Sequence, residues 1–116
     1  MTKLIPSEES ASVLQTWHGA NAKIWQFHAS LGRLAIQIYR PLEGNQLYLV
    51  AVSCLHIAGP FHWTNNQLEI IERSQGQTTL IQDHVARFEL HCYGGFLVSS
   101  TMAEFDLSKD SVIDDE

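Results

Sequence analysis

The sequence predicts an α+β fold: an N-terminal helix packed on a curved antiparallel meander sheet of about 6–7 strands. Three observations predict it. One amphipathic segment with helical spacing stands near the front, around Val13, Leu14 and Trp17. From Ala22 to Ser99 the apolar period is mostly two, and short polar turns interrupt it at near-regular intervals. No helix-length segment separates the strands, which argues against parallel βαβ units. A small β-barrel or a β-sandwich is the alternative architecture.

The helix spans about residues 7–18. Ser7 can cap it, with Pro6 just outside and Glu8 and Glu9 in the first turn, where the helix dipole favours negative charge. Gly19 is placed to end it in a left-handed conformation. The next strand holds Trp25, Phe27 and Ala29 in alternation with Gln26 and His28. After Gly32, Leu34, Ile36 and Ile38 alternate with Arg33, Ala35, Gln37 and Tyr39, the mark of a strand with one buried face. The run Arg40-Pro41-Leu42-Glu43-Gly44-Asn45 is turn chemistry, because proline stops a ladder and Gly-Asn supplies positive φ.

Leu47 to Ile57 is apolar on both faces for most of its length. Such a strand is central in a sheet or part of a partner interface. Ala58-Gly59-Pro60 ends it, Phe61-His62-Trp63 is a short extended piece, and Thr64-Asn65-Asn66 reads as a tight turn. Leu68–Arg73 and Thr78–Asp83 form a hairpin through Ser74-Gln75-Gly76-Gln77. Val85–Cys92 follows after a corner at Asp83-His84, with Phe88, Leu90 and Cys92 on one face and Arg87, Glu89 and His91 on the other. Gly94-Gly95 breaks the run before a last strand, Phe96–Ser99. Residues 1–105 are thus one globular domain, and residues 106–116 an acidic, flexible tail.

Composition narrows function by exclusion. Of thirteen acids against seven bases, six lie from Glu104 onward beside the single base Lys109. No basic stripe exists, so nucleic-acid backbone binding is disfavoured. No apolar run approaches the ~20 residues of a membrane helix. There is no secretory signal pattern, so the expected location is the cytoplasm. The two cysteines, Cys54 and Cys92, are too few for a disulfide framework and are expected as free thiols. Phosphate-loop, dinucleotide, nucleophile-elbow, HExxH, CxxC and EF-hand signatures are all absent, and no cofactor is expected.

Four constellations remain. Cys54 and His56 stand two apart, hence on one strand face, with His62 beyond the Gly-Pro turn and Cys92 on a later strand. Those four supply soft and borderline ligands that suit tetrahedral zinc, although their spacing matches no zinc motif. The same residues permit a Cys-His nucleophilic pair, which needs a stabilised thiolate. Arg87, Glu89 and His91 form a polar row able to hold an anion or move a proton, or simply a solvated strand face. Trp25, Phe61 and Trp63 with His56 could line the rim of an apolar-ligand pocket, though aromatics more often fill a core. The absence of catalytic signatures and the two-sided strand favour a non-catalytic interaction module, with self-association into a homodimer as its simplest form. A small apolar-ligand barrel is the alternative, and a Cys/His metal site or enzyme comes third.

Overall fold

In the computed structural model, which describes residues 3–5, 9–73 and 78–99, the chain is mostly antiparallel sheet with one short helix. In chain order the elements are β1 (Lys3–Ile5), α1 (Ser10–Thr16), β2 (Asn21–His28), a 3-10 turn (Ala29–Leu31), β3 (Arg33–Arg40), β4 (Asn45–Ala58), β5 (His62–Trp63), β6 (Glu69–Arg73), β7 (Thr78–Asp83) and β8 (Phe88–Ser99). The expected Ser7 cap, the 74–77 turn and the 106–116 tail lie outside the described residues.

The strands pair in the order β5-β2-β3-β4-β8-β7-β6, with β1 added beside the end of β8. A simple meander would place β5 or β6 beside β4. Instead β8 pairs with β4, so two three-stranded meanders, β2-β3-β4 and β8-β7-β6, meet at the centre. The expectation of a central place for Leu47–Ile57 holds at the level of the sheet. Residues Leu47 to Ala51 are buried between β3 and β8 on both faces. Pro60 explains the departure from β4 to the outer edge: it cannot donate to a ladder, and the chain resumes as two-residue β5 against β2.

The glycines Gly94 and Gly95 do not break the last strand. They sit inside β8, where Gly95 lets the backbones of β4 and β8 close up: a Cβ there would stand 2.9 Å from the Val50 carbonyl oxygen. Val85 to Arg87 belong to the turn before β8, with Arg87 at φ 60. β1 was not legible, since three residues ahead of a capping signal carry no period.

The helix is shorter than the sequence pattern suggests, ending at Thr16. Gly19, at φ 97, turns the chain into β2, and its N–H donates to the Asn66 carbonyl at 2.9 Å. Arg40 supplies the missing terminal partner: Nη2 donates to Thr16 O at 2.6 Å while the guanidinium lies 4.3 Å from the Trp17 ring centre. His18 does more than answer the helix dipole, for its Nε2 donates to Leu68 O at 2.8 Å.

One face of the sheet carries the core. Leu14, Ala22, Leu34, Ile36, Ile38, Leu47, Leu49 and Leu90 form one buried cluster, joined by Trp63, Leu68, Ile81, Phe88 and Leu97. On the other face, Tyr48 and Gln37 are buried, and Gln37 Nε2 donates to Tyr48 Oη at 3.0 Å and to Gln46 Oε1 at 3.3 Å. Burial pushes the Tyr48 hydroxyl up, offset in part by the Gln37 bond. Among the described residues the sheet does not close. Its ends are tied by side chains instead: Trp63 of β5 donates from Nε1 to Asp83 Oδ2 of β7 at 2.8 Å and stacks against Phe88, ring centres 4.8 Å apart.

Candidate functional site

The candidate site is the far half of β4, where the strand outruns its neighbour. The β3–β4 ladder ends at Leu34↔Ala51, because β3 begins only after the 3-10 turn and left-handed Gly32. One further backbone bond, Cys54 N to Gly32 O at 2.9 Å, closes that side. From Leu55 to Ala58 the strand is paired with β8 alone, and among the described residues no strand covers its other edge. Among the described residues, the N–H and C=O groups of that edge face no paired strand.

Two irregularities shape this segment. Ser53 adopts φ 52, and a bulge separates Cys54↔Cys92 from His56↔His91. A bulge places one extra residue in a strand, so the alternation of faces is reset across it. The shared face expected for Cys54 and His56 is therefore lost. Cys54 packs against the core with Cys92, while His56 joins His91 on the opposite face, their rings edge-on at 5.5 Å. Leu55, the residue between, is 59% exposed, and Ile57 is 43% exposed. Gly59, at φ 130, then turns the chain hard against β8, where a Cβ would stand 2.7 Å from Phe88 Cα. Gly59→Ala is expected to cost about 2–3 kcal/mol, from the positive φ and the backbone clash together, measurable by urea unfolding.

On the polar face, Glu89 Oε2 lies 3.7 Å from His56 Nε2 and 3.6 Å from His91 Nε2. Each contact becomes an ion pair only when the imidazole is protonated. Glu89 opposes Gln82 on β7, Gln82 Nε2 meets His84 Nε2 at 2.9 Å, and His84 Nε2 lies 4.0 Å from Glu69 Oε2. An imidazole and carboxylate row thus runs across four strands on the solvent side. Of the expected trio, Glu89 and His91 belong to it, whereas Arg87 sits in the preceding turn. The sequence did not reveal Glu69, Gln82 and His84 as members, because strand pairing brings them in, nor His56, because only the bulge brings it to that face.

The other sequence candidates disperse. Cys54, His56, His62 and Cys92 do not assemble: His56 faces away from the two thiols, and exposed His62 lies on β5 opposite Lys23, at the end of the strand order. Among the described residues no three His, Cys, Asp or Glu side chains are grouped to hold a metal ion. The thiols are also poor nucleophiles. Burial, with the neighbouring Cys92 adding, pushes the Cys54 thiol up to about 11, and burial raises Cys92 against a lowering bond from the Gly94 backbone. An activated cysteine needs the opposite shift.

The proposed pocket rim is likewise split. Trp63 is a core residue, whereas Phe61, two positions earlier, is 81% exposed, and its carbonyl accepts from Ile24 N at 2.8 Å. Trp25 sits at the β2 bulge on the Tyr48 side, ring centres 6.2 Å apart, and its buried Nε1 has no hydrogen-bond partner among the described residues. His56 stands on the β4 arm. No helix among the described residues is long and apolar enough to cross a membrane. No family model matches the chain, and no curated protein or solved structure is significantly similar to it.

Proposed function

We propose that the chain is a non-catalytic interaction module that self-associates through the far end of β4. One observation carries this reading: Leu55–Ala58 offers a backbone edge that no described strand covers and two exposed apolar side chains, Leu55 and Ile57, on the same short segment. Natural sheets usually blunt such an edge with charge or proline, or cover it. Here Pro60 comes only after the segment, and its charged neighbour Glu89 lies on the paired side. Strand addition by a second copy would satisfy the backbone groups while burying Leu55 and Ile57. The reading places α1 on the core face of a curved sheet, supported by the complete burial of Leu14 and by the His18–Leu68 bond. In this proposal the protein acts in the cytoplasm, and neither nucleic acid nor an anionic membrane surface is its partner, the latter supported by the acidic balance.

The apolar-ligand reading has less behind it, because side chains from α1 and most of the strands occupy the core face. The test is sedimentation velocity across a concentration series, paired with native mass spectrometry. The wild type is expected to dimerise, and Leu55→Glu to weaken the dimer at least tenfold without loss of folding, since that side chain is exposed in the monomer. A wild type that stays monomeric at high concentration removes the proposal. A bound small-molecule mass in the native spectrum would revive the ligand reading.

A further inference from the structure

We propose that Cys54 and Cys92 are a latent redox pair, able to form a reversible cross-strand disulfide by exchange with a low-molecular-weight disulfide such as oxidised glutathione. The two residues are direct register partners on antiparallel β4 and β8. Both are free thiols and both side chains belong to the core face, with Cys92 near enough to raise the Cys54 thiol further. Opposed residues of an antiparallel pair hold their Cβ atoms about 4.5–5.5 Å apart. A disulfide needs about 3.5–4.5 Å, so a small closing movement suffices.

The two thiols are not equivalent. Cys92 is fully buried, its Sγ donating weakly to Thr79 O at 3.8 Å, whereas Cys54 is partly exposed. Cys54 therefore meets the oxidant. Its thiolate attacks one sulfur of the small disulfide, that S–S bond breaks, and the first small thiol leaves with the proton Cys54 gave up. The Cys92 thiolate then attacks the Cys54 sulfur of the mixed disulfide, and the second small thiol leaves with the Cys92 proton. Two protein thiols are oxidised to one disulfide and one small disulfide is reduced to two thiols. Because Cys54 ionises only at about 11, the exchange is slow near neutrality and speeds up about tenfold per pH unit below that value. Oxidation of the pair is therefore slow near neutral pH. The disulfide would staple β4 to β8 at the base of the projecting Leu55–Ala58 segment.

The experiment is incubation of the folded protein with excess oxidised glutathione at about pH 9, followed by intact mass, thiol counting and non-reducing peptide mapping. Expected are a monomeric chain lighter by two hydrogens, a peptide joining Cys54 to Cys92, a higher unfolding temperature, and reversal of all three by dithiothreitol. Cys92→Ser should stop at a glutathione adduct on Cys54, and Cys54→Ser should leave Cys92 unmodified. Wild type that keeps both thiols, stops at the adduct or links between chains overturns the proposal. So does modification of Cys92 in Cys54→Ser, which would show that oxidation proceeds through unfolding. If Cys92→Ser fails to fold, the wild-type mass and peptide map decide alone.

Discussion

Asp83→Ala is expected to destabilise the fold by about 4 kcal/mol, much of the ~5–15 kcal/mol that holds a domain of this size together. Asp83 is fully buried at the end of β7. Its two carboxylate oxygens are shared among four donors. Oδ1 accepts from the Val85 and Ala86 amides, both at 3.1 Å, and so shapes the turn into β8. Oδ2 accepts from Trp63 Nε1 at 2.8 Å and from the Gln67 amide at 2.7 Å. One side chain thus fixes the β7–β8 turn, the end strand β5 and the segment between β5 and β6. Removing it leaves donors in the interior with no acceptor, and such groups cost about 1–3 kcal/mol each when water cannot reach them. Water will reach the turn amides first, which keeps the total below the sum of four. Asp83→Asn retains one acceptor oxygen but turns an amide donor toward the others, so about half the loss is expected. Urea unfolding of the three proteins at one pH, followed by tryptophan fluorescence, checks the order wild type, Asn, Ala. Equal midpoints for wild type and Asp83→Ala would mean that the carboxylate is not what ties the sheet ends together.

The history of Asp83 in the sequence shows what periodicity can and cannot convey. It was legible as a corner after a strand, because Asp followed by His breaks an alternating run, and β7 ends at that residue. Its partners were not legible. Trp63 lies twenty residues earlier, and no local rule joins an indole to a carboxylate at that separation. The same division runs through the candidate site. Leu47–Ile57 could be seen as a two-sided apolar strand and hence as central, since its composition needs no knowledge of neighbours. That its second half would emerge beyond β3 depends on where the β2–β3 hairpin turns, which is a fact about strand lengths. The bulge at Leu55 was hidden for a different reason. A period-two pattern holds only while the ladder is regular, and one inserted residue resets it. The reset sent His56 to Glu89 and His91, and left Cys54 facing Cys92. The pairing of β4 with β8, past β5, β6 and β7 in the chain, is a long-range choice, and strand spacing alone favours the sequential meander instead.

Asn66→Ala is expected to cost about 3 kcal/mol, and the loss should be readable at named amides. Asn66 is fully buried although it lies in a stretch with no regular structure. Its Nδ2 donates to Trp17 O at 2.9 Å and Ala20 O at 3.0 Å, and its Oδ1 accepts from the Leu68 amide at 3.1 Å. Its own backbone pairs again with the same segment, N to Ala20 O and O from Gly19 N, both at 2.9 Å. The effect is a short artificial ladder between the α1–β2 connection and the chain leading into β6. Trp17 O is a carbonyl just past the helix end, where intrahelical donors have run out, so the side chain also serves as a C-terminal cap. Alanine would keep the two backbone bonds and lose the three side-chain ones. Ala20 O keeps the Asn66 amide and Trp17 O keeps the Ala20 amide at 3.1 Å, so the orphaned group is the Leu68 amide, left buried without its acceptor. Hydrogen exchange separates this from a general loosening. The Leu68 and Gly19 amides should exchange at least tenfold faster in Asn66→Ala than the global destabilisation accounts for, while amides in the β3–β4 ladder follow the global change alone. A uniform acceleration across all amides would place the contribution of Asn66 in overall stability and not in clamping the helix exit to β6.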